Sequence, residues 1–541
     1  MPASVSLHQL SYSTPDNQPL FTGLDLSFGN ERTGLIGRNG TGKSSLLRII
    51  AGQLPPLAGS VSVTGSIGML AQSVQVGTDD TVADQLGVAD ELARLDRLEQ
   101  GLGSVEDAGE ADWTLPGRIE AALGDVGLPA YALDRPLTAL SGGQRTRLAL
   151  ARLILTQPDI ILLDEPTNNL DADGRQAVVD LLRGWRGAAI VVSHDRALLR
   201  QMDAIVELTT LGATTYGGNW DHYAERKALE LAAAQHELAT TERRVVEIDR
   251  KIQAVAEKKA RKDGAGKRKA ARGDTPRILL GGMKENSENT SGGNTRLANR
   301  LRSEAADAAG SARAKLEILT PLSVTLTPTG LPGGRTVLQA DGLTGGPAGV
   351  PPVINNLSLQ LTGPERVAIT GPNGSGKTTL LRLLSGNLPI TSGSARILVP
   401  HAMLDQTVSL LDPALTIRDN FRALNPDADE NTCRSALARF MFRADAALQV
   451  AGTLSGGEML RAGLACTIGG NRPPQLLILD EPTNHLDIQA IEQVEAGLRG
   501  YDGALLVVSH DRDFLDAIGI QREIVLGEDA ARRDGEDATP G

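Results

Sequence analysis

Apolar residues in this chain come in short runs that stop abruptly at polar or glycine-rich loops. Thr33–Ile36, Ile160–Leu163, Ala188–Val192, Leu476–Leu479 and Ala504–Val508 are each four or five residues long and apolar on both faces. Such runs predict buried parallel strands rather than the alternating strands of a half-exposed sheet. Helical patterns follow them, as in the apolar stretch Ser45–Ile50. Strand–loop–helix succession of this kind predicts an α/β fold. From Asp221 to about Lys262 the pattern changes to Ala, Glu, Lys and Arg without glycine or proline, which predicts one long helix. A glycine-containing turn region (Asp263–Asn294) and a second helical stretch (Thr295 to about Ile318) complete a helical hairpin between two α/β domains.

The chain repeats itself. TGLIGRNGTGKSSLLRIIAG from Thr33 is matched by VAITGPNGSGKTTLLRLLSG from Val367. LSGGQ at Leu140 and LSGGE at Leu454 lie 314 residues apart; LLDEPTNNLD at Leu162 and ILDEPTNHLD at Ile478 lie 316 apart, as do the two VVSHDR segments at Val191 and Val507. A nearly constant offset over distant motifs marks a duplicated domain. The glycine-rich loops are 334 apart, so the first copy carries roughly 20 extra residues, placed around 82–127 and expected to form a short arm. The expected organisation is residues 1–220, first copy; 221–320, linker; 321–527, second copy; and 528–541, a charged disordered tail.

Composition narrows the function. A length of 541 residues requires more than one core, and 3% aromatic content requires cores of Val, Ile, Leu and Ala. Two isolated cysteines, Cys433 and Cys466, exclude a disulfide scaffold and a cysteine-ligated zinc or iron–sulfur centre, and are read as buried thiols. The first residues lack the basic start and apolar run of a signal peptide, and no apolar stretch approaches the ~20 residues of a membrane-spanning helix. A soluble, cytoplasmic protein is expected.

The glycine-rich loops have the spacing of a phosphate loop, whose backbone N–H groups must approach an anion closely. Gly37, Asn39, Gly40, Gly42, Lys43, Ser44 and Ser45 form the first; Gly371, Asn373, Gly374, Gly376, Lys377, Thr378 and Thr379 form the second. The lysine is expected on the β- and γ-phosphates of ATP and Ser44 or Thr378 on Mg²⁺. Asp164 and Asp480 end apolar strands, where open α/β sheets bind ligands, and are expected to hold Mg²⁺ through its water shell. Glu165 and Glu481 follow, placed to polarise the attacking water. Asp171 and Asp487 lie one turn further on. Ser141, Gly142 and Gly143, and likewise Ser455, Gly456 and Gly457, open helices whose free N–H groups suit a γ-phosphate.

Phosphate loop, DEPT strand, LSGG and SHD together resemble the ATP-binding cassette superfamily, across both halves of the chain. The resemblance implies a head-to-tail sandwich of two P-loop ATP-binding cassette domains holding two ATP molecules, each phosphate loop facing Ser141 or Ser455 of the other cassette. It implies that Gln72 and Gln406 are Q-loop glutamines reaching Mg²⁺, that His194 and His510 are switch histidines, and that Tyr12 stacks on adenine; its counterpart in the second copy is Gly346.

Within the superfamily, a transporter subunit would work with membrane domains, a DNA-repair ATPase would carry zinc cysteines or a far longer coiled coil, and an iron–sulfur ribosome-splitting ATPase would need more cysteines. DEPTN(N/H)LD, SHDR and YGGNWDHYAERKALE from Tyr216 resemble instead the ABC-F translation factors. That resemblance implies an ATP hydrolase whose linker meets ribosomal RNA and the P-site tRNA, with antibiotic resistance as one possible outcome and no DNA or membrane partner; a transporter ATPase is the alternative. Arg243–Lys284 holds 14 Lys/Arg against 5 Asp/Glu, a net +9 in a chain of net −12. A basic spike on an acidic body suits an RNA partner. Asn169 departs from the family's usual histidine, which the second copy keeps as His485, an asymmetry that allows the two sites to hydrolyse unequally.

Overall fold

The structure, a computed structural model, describes residues 3–72, 77, 79–209, 212–271, 300, 303, 326–347 and 349–527. The duplicated sequence folds twice into the same layers. In the first copy β1 (Ser4–Ser13), β2 (Pro19–Phe28) and β4 (Ala58–Thr64) make an antiparallel sheet in the order β2-β1-β4. A second sheet has the order β5-β6-β7-β3-β8-β9, from β3 (Arg32–Ile36), β5 (Ile67–Leu70), β6 (Ile160–Asp164), β7 (Ala188–Val192), β8 (Ala204–Thr209) and β9 (Gly212–Gly217). All its pairs are parallel except β8–β9. The second copy repeats this with β11-β10-β13 (Ile354–Thr362, Thr336–Gly345, Ile390–Ile397). Its parallel sheet is β14-β15-β16-β12-β17 (His401–Leu404, Leu476–Asp480, Ala504–Val508, Arg366–Thr370, Arg522–Val525).

Every residue of β6, β7, β15 and β16 is buried, as their uninterrupted apolar sequences require. One face of each parallel sheet packs with the antiparallel sheet and the phosphate-loop helix (Lys43–Ile50 or Lys377–Leu384) into one hydrophobic core. In the second copy the other face packs on a helical layer containing Cys433 and Cys466, both free and buried.

The stretch 82–127 is not one protruding arm. Its ends, helices Val82–Leu86 and Leu115–Asp125, bury Val82, Leu86, Ile119 and Leu123 and pack on the helix Gly142–Thr156. Amphipathic spacing made these ends structural. Only the helices Ala89–Glu99 and Val105–Glu110 between them are additional, and they are laced by Arg94 to Glu110 at 3.1 Å and Arg97 to Asp107 at 2.9 Å.

Residues 223–320 form a separate unit. Its first helix, Trp220–Ala271, is 52 residues long, about 78 Å at 1.5 Å per residue. It continues past the expected end near Lys262, through Gly264 and Gly266. Glycine costs only ~1 kcal/mol in a helix, and the Ala, Lys and Arg around these two are strong helix formers. Most of the expected turn and second helical stretch lies outside the described residues, in which Arg300 and Ser303 are helical. The tail 528–541 also lies outside them.

Arg32 and Arg366 open equivalent strands and solve the same problem differently. Arg32 forks onto Asp203, at 2.9 and 2.7 Å. Arg366 instead donates to the carbonyls of Leu498, Tyr501 and Ile518, gathering two helix ends under β12. An orphaned buried carbonyl costs ~1–3 kcal/mol. Arg366→Ala should therefore destabilise the second cassette by about 2–4 kcal/mol and Arg32→Ala by less. Thermal denaturation checks this; equal melting shifts would contradict it.

Candidate functional site

Each phosphate loop leaves its strand through a glycine that no other residue replaces. Gly37 has φ 154° and Gly371 φ 139°, and a Cβ there would stand 2.3 Å from the carbonyl oxygen of Leu208 or Leu526. The loop ends at Gly42 or Gly376, in the left-handed region, and the helix starts with the lysine. Lys43 Nζ reaches back to the carbonyls of Gly37 and Arg38 at 2.7 and 3.0 Å, and Lys377 Nζ to those of Gly371 and Pro372 at 2.9 Å each. Burial lowers the pKa of both ammonium groups.

At the end of β6, Asp164 is buried with neither carboxylate oxygen satisfied by a hydrogen bond among the described residues, although Ser44 lies near enough to stabilise its charge. In the second copy Thr378 Oγ1 donates to Asp480 Oδ1 at 3.2 Å. Burial raises both aspartates. A buried, under-satisfied carboxylate beside a hydroxyl fits Mg²⁺, which binds through one or two carboxylates and substrate phosphates rather than a protein cage. No cluster of three or more His, Cys, Asp or Glu with metal-binding geometry occurs among the described residues, as that mode of binding allows.

Glu165 and Glu481 sit on strained backbone, with φ of 50° and 48°. The strain persists because each backbone N–H is tied to the neighbouring strand, Glu165 to Val192 and Glu481 to Val508, at 2.8 Å. His194 Nε2 lies 3.2 Å from Glu165 Oε1, and His510 Nε2 lies 3.5 Å from Glu481 Oε1. Burial raises Glu165, and raises Glu481 to about 7; it lowers His194 to about 3 and His510 to about 4. Both histidines are therefore neutral near pH 7, and neither contact is an ion pair.

The two cassettes complete each other's loops. Asn39 N donates to Asp487 Oδ2 at 2.9 Å and Asn39 Nδ2 to the His485 carbonyl at 3.0 Å. Asn373 N donates to Asp171 Oδ2 at 3.1 Å and Asn373 Nδ2 to the Asn169 carbonyl at 2.9 Å. Asn169 and His485 both have φ near 60°, which turns their carbonyls towards the partner loop. A Cβ on Gly143 would lie 3.6 Å from Asn373 Nδ2, so the first LSGG faces the second phosphate loop.

A cavity of about 370 Å³ opens at the first loop, lined by Asn39, Gly40, Gly42, Lys43, Ser44, Ser45, Gln72, Asp164, Glu165 and His194, with His485 and Leu486 from the second cassette. Its remaining wall includes Thr14 and Leu20. Tyr12, which the resemblance puts on adenine, is half-buried in β1 with its ring 6.1 Å from that of Phe21, and the wall is formed by its neighbours instead. Gln406 is exposed just after β14.

Ser141 and Ser455 cap their helices, and Gln144 and Glu458 return the bond to the serine backbone N–H at 2.9 and 3.0 Å. Ser455 Oγ also donates to Glu458 Oε2 at 2.7 Å. Gly142 and Gly456 have open space where a Cβ would stand, while Gly457 packs against Ala490.

The spacing of the motifs located the loops, the carboxylates and the serines. It did not reveal that Asp171 and Asp487 bond the opposite loop; their recurrence two residues beyond Asn169 and His485 was the available signal.

A model of the ABC transporter family matches residues 23–168 and 354–484. The chain is 34% identical to the tylosin resistance ATP-binding protein TlrC of Streptomyces fradiae, covering 94% of this chain and 95% of that protein. It is 33% identical to the energy-dependent translational throttle protein EttA of Mycobacterium tuberculosis, covering 90% and 84%. Among solved structures it resembles an RNase-L inhibitor at a TM-score of 0.58 and 19% identity, covering 96% and 87%, which is a likeness of fold.

If Glu165 and Glu481 accept the proton of the attacking water, they must be anions. Because burial raises both, the competent fraction is lost as pH falls through their pKa values, near and above 7. kcat/KM for ATP should then drop about tenfold per pH unit below about pH 7. A flat profile between pH 6 and 8.5 would remove the glutamates from this role.

Proposed function

The chain belongs to the ABC-F family of ATP-binding cassette ATPases, and we propose that it spends ATP on the ribosome. The supporting observation is the interdomain helix Trp220–Ala271, which runs into the basic stretch Arg243–Lys284 of net +9 while the rest of the chain carries −21. Basic side chains gain by displacing counterions from RNA phosphates, and an acidic body limits indiscriminate binding. A relative named as a translational throttle and another named for tylosin resistance support a role in translation or in protection from ribosome-targeting drugs. In this reading the linker enters the ribosome near the P-site tRNA, in the cytoplasm. No described helix is long and apolar enough to cross a membrane, which disfavours the transporter alternative only where membrane domains would be part of this chain.

At each site the loop N–H groups and Lys43 or Lys377 hold the phosphates. Ser44 with Asp164, and Thr378 with Asp480, would hold Mg²⁺, assisted by Gln72 and Gln406. The ion would supply charge neutralisation on the phosphates. Glu165 and Glu481 orient the water, His194 and His510 contact the γ-phosphate, and Ser455 and Ser141 close the sites from the opposite cassette. Tyr12 is assigned to the first adenine through its neighbours Thr14 and Leu20, which line the cavity.

Replacing both glutamates, E165Q with E481Q, should preserve ATP binding, abolish turnover and trap the closed cassettes. The variant with ATP is expected to co-sediment with 70S ribosomes and to stop translation in an extract; free sedimentation refutes the ribosomal role and leaves the ATPase intact. Changing Lys267, Arg268 and Lys269 to Glu should weaken ribosome binding and flatten its salt dependence, with basal ATPase unchanged. Binding identical to that of the parent across a salt titration would make the basic stretch an ordinary solvated surface.

A further inference from the structure

The duplication allows the two switch segments to be compared position by position. In the first cassette Arg196 follows the Ser193-His194-Asp195 segment, and its Nη1 meets Glu495 Oε1 of the second cassette at 2.7 Å. The pair is buried, the side chains being 11% and 5% exposed, and Arg196 Nε and Nη2 find no hydrogen-bond partner among the described residues. Four residues on, Arg200 forks onto Asp513 of the second cassette at 2.8 Å twice.

Neither tie recurs on the other side. At the offset of 316 residues, Arg512 corresponds to Arg196, but Val179 stands at the position of Glu495, Asp516 at that of Arg200 and Ala197 at that of Asp513. Arg512 pairs with Glu523 of its own cassette. The buried Arg196–Glu495 pair therefore serves the first switch segment alone, whereas the Arg200–Asp513 fork joins both, Asp513 lying three residues beyond His510.

A buried ion pair adds little net stability, because desolvation of both charges offsets their attraction; what it contributes is geometry. When the cassettes part, both charges return to water and the anchor is gone. Its position is short-coupled to the histidine. Asp195 N bonds Ser193 Oγ at 3.0 Å and Asp195 Oδ1 caps Leu198 N at 3.2 Å, so Ser193–Leu198 moves as one piece. Arg175 holds Asp195 at 3.1 Å from inside the first cassette, and Arg196, next to Asp195, adds the buried contact to the second.

We propose that Arg196 and Glu495 are positioning residues for ATP hydrolysis at the first site: closure acts through this pair to set His194, and no equivalent pair stands at the second site. The inference rests on the assignment of Glu165 and His194 to hydrolysis at the first site.

The test is single-turnover hydrolysis of preloaded ATP in the full chain, with one site at a time silenced. In the E481Q background, which leaves only the first site, E495Q should slow the turnover about tenfold without changing ATP affinity, as a displaced positioning contact does. In the E165Q background, which leaves only the second site, E495Q should have no effect. The exchanged pair R196E with E495R should recover most of the rate at the first site, and it serves as the test if E495Q alone does not fold. Equal slowing at both sites, no slowing at the first, or no first-site turnover in E481Q overturns the proposal. Hydrolysis persisting in E165Q with E481Q would instead overturn the assignment of the glutamates, so the two failures are distinct.

Discussion

A triphosphate can be held tightly only if nearly every oxygen that leaves water finds a donor, and one loop at the end of one strand cannot surround it. The whole molecule follows from that limit. Gly37 and Gly371 bend each loop back against the carbonyl of a neighbouring strand or loop. The other side of the enclosure comes from the second cassette, through Asp487 and His485 on Asn39 and through Asp171 and Asn169 on Asn373. Neither cassette holds a finished site alone.

The same limit explains where backbone strain is kept. Glu165, Glu481, Asn169 and His485 all have positive φ, a conformation that costs a non-glycine residue of order 1–3 kcal/mol. The first two aim carboxylates at the site and the second two aim carbonyls across the interface. The fully buried strands behind them over-determine these positions and offset the strain.

Much of this was legible in the sequence because phosphate binding demands local patterns. A loop needs its glycines at set spacing, and a strand buried on both faces needs an unbroken apolar run ending in Asp-Glu. What was not legible depended on partners far along the chain. Arg32 and Arg366 look interchangeable, yet one meets a carboxylate and the other three carbonyls. Glu458 reads as a signature variant, whereas the structure also makes it the reciprocal partner of a helix cap. Helices Val82–Leu86 and Leu115–Asp125 read as an insertion because the offset between motifs gives its length but not its ends. Gly264 and Gly266 suggested a turn, although two glycines amid strong helix formers do not stop a helix.

Arg196 and Glu495 show what joining two cassettes in one polypeptide permits. In a symmetric homodimer each interface residue occurs twice, so a buried charge that appears on one side appears on the other in the same generation, and its desolvation cost is doubled before any partner exists. A fused duplicate is free of that coupling. Glu495 could arise opposite Arg196 while Val179 stayed apolar at the equivalent position, so selection acts on each half-site separately. Valine at position 495 would restore the equivalence of these two positions alone and leave the Arg200–Asp513 fork as asymmetric as before.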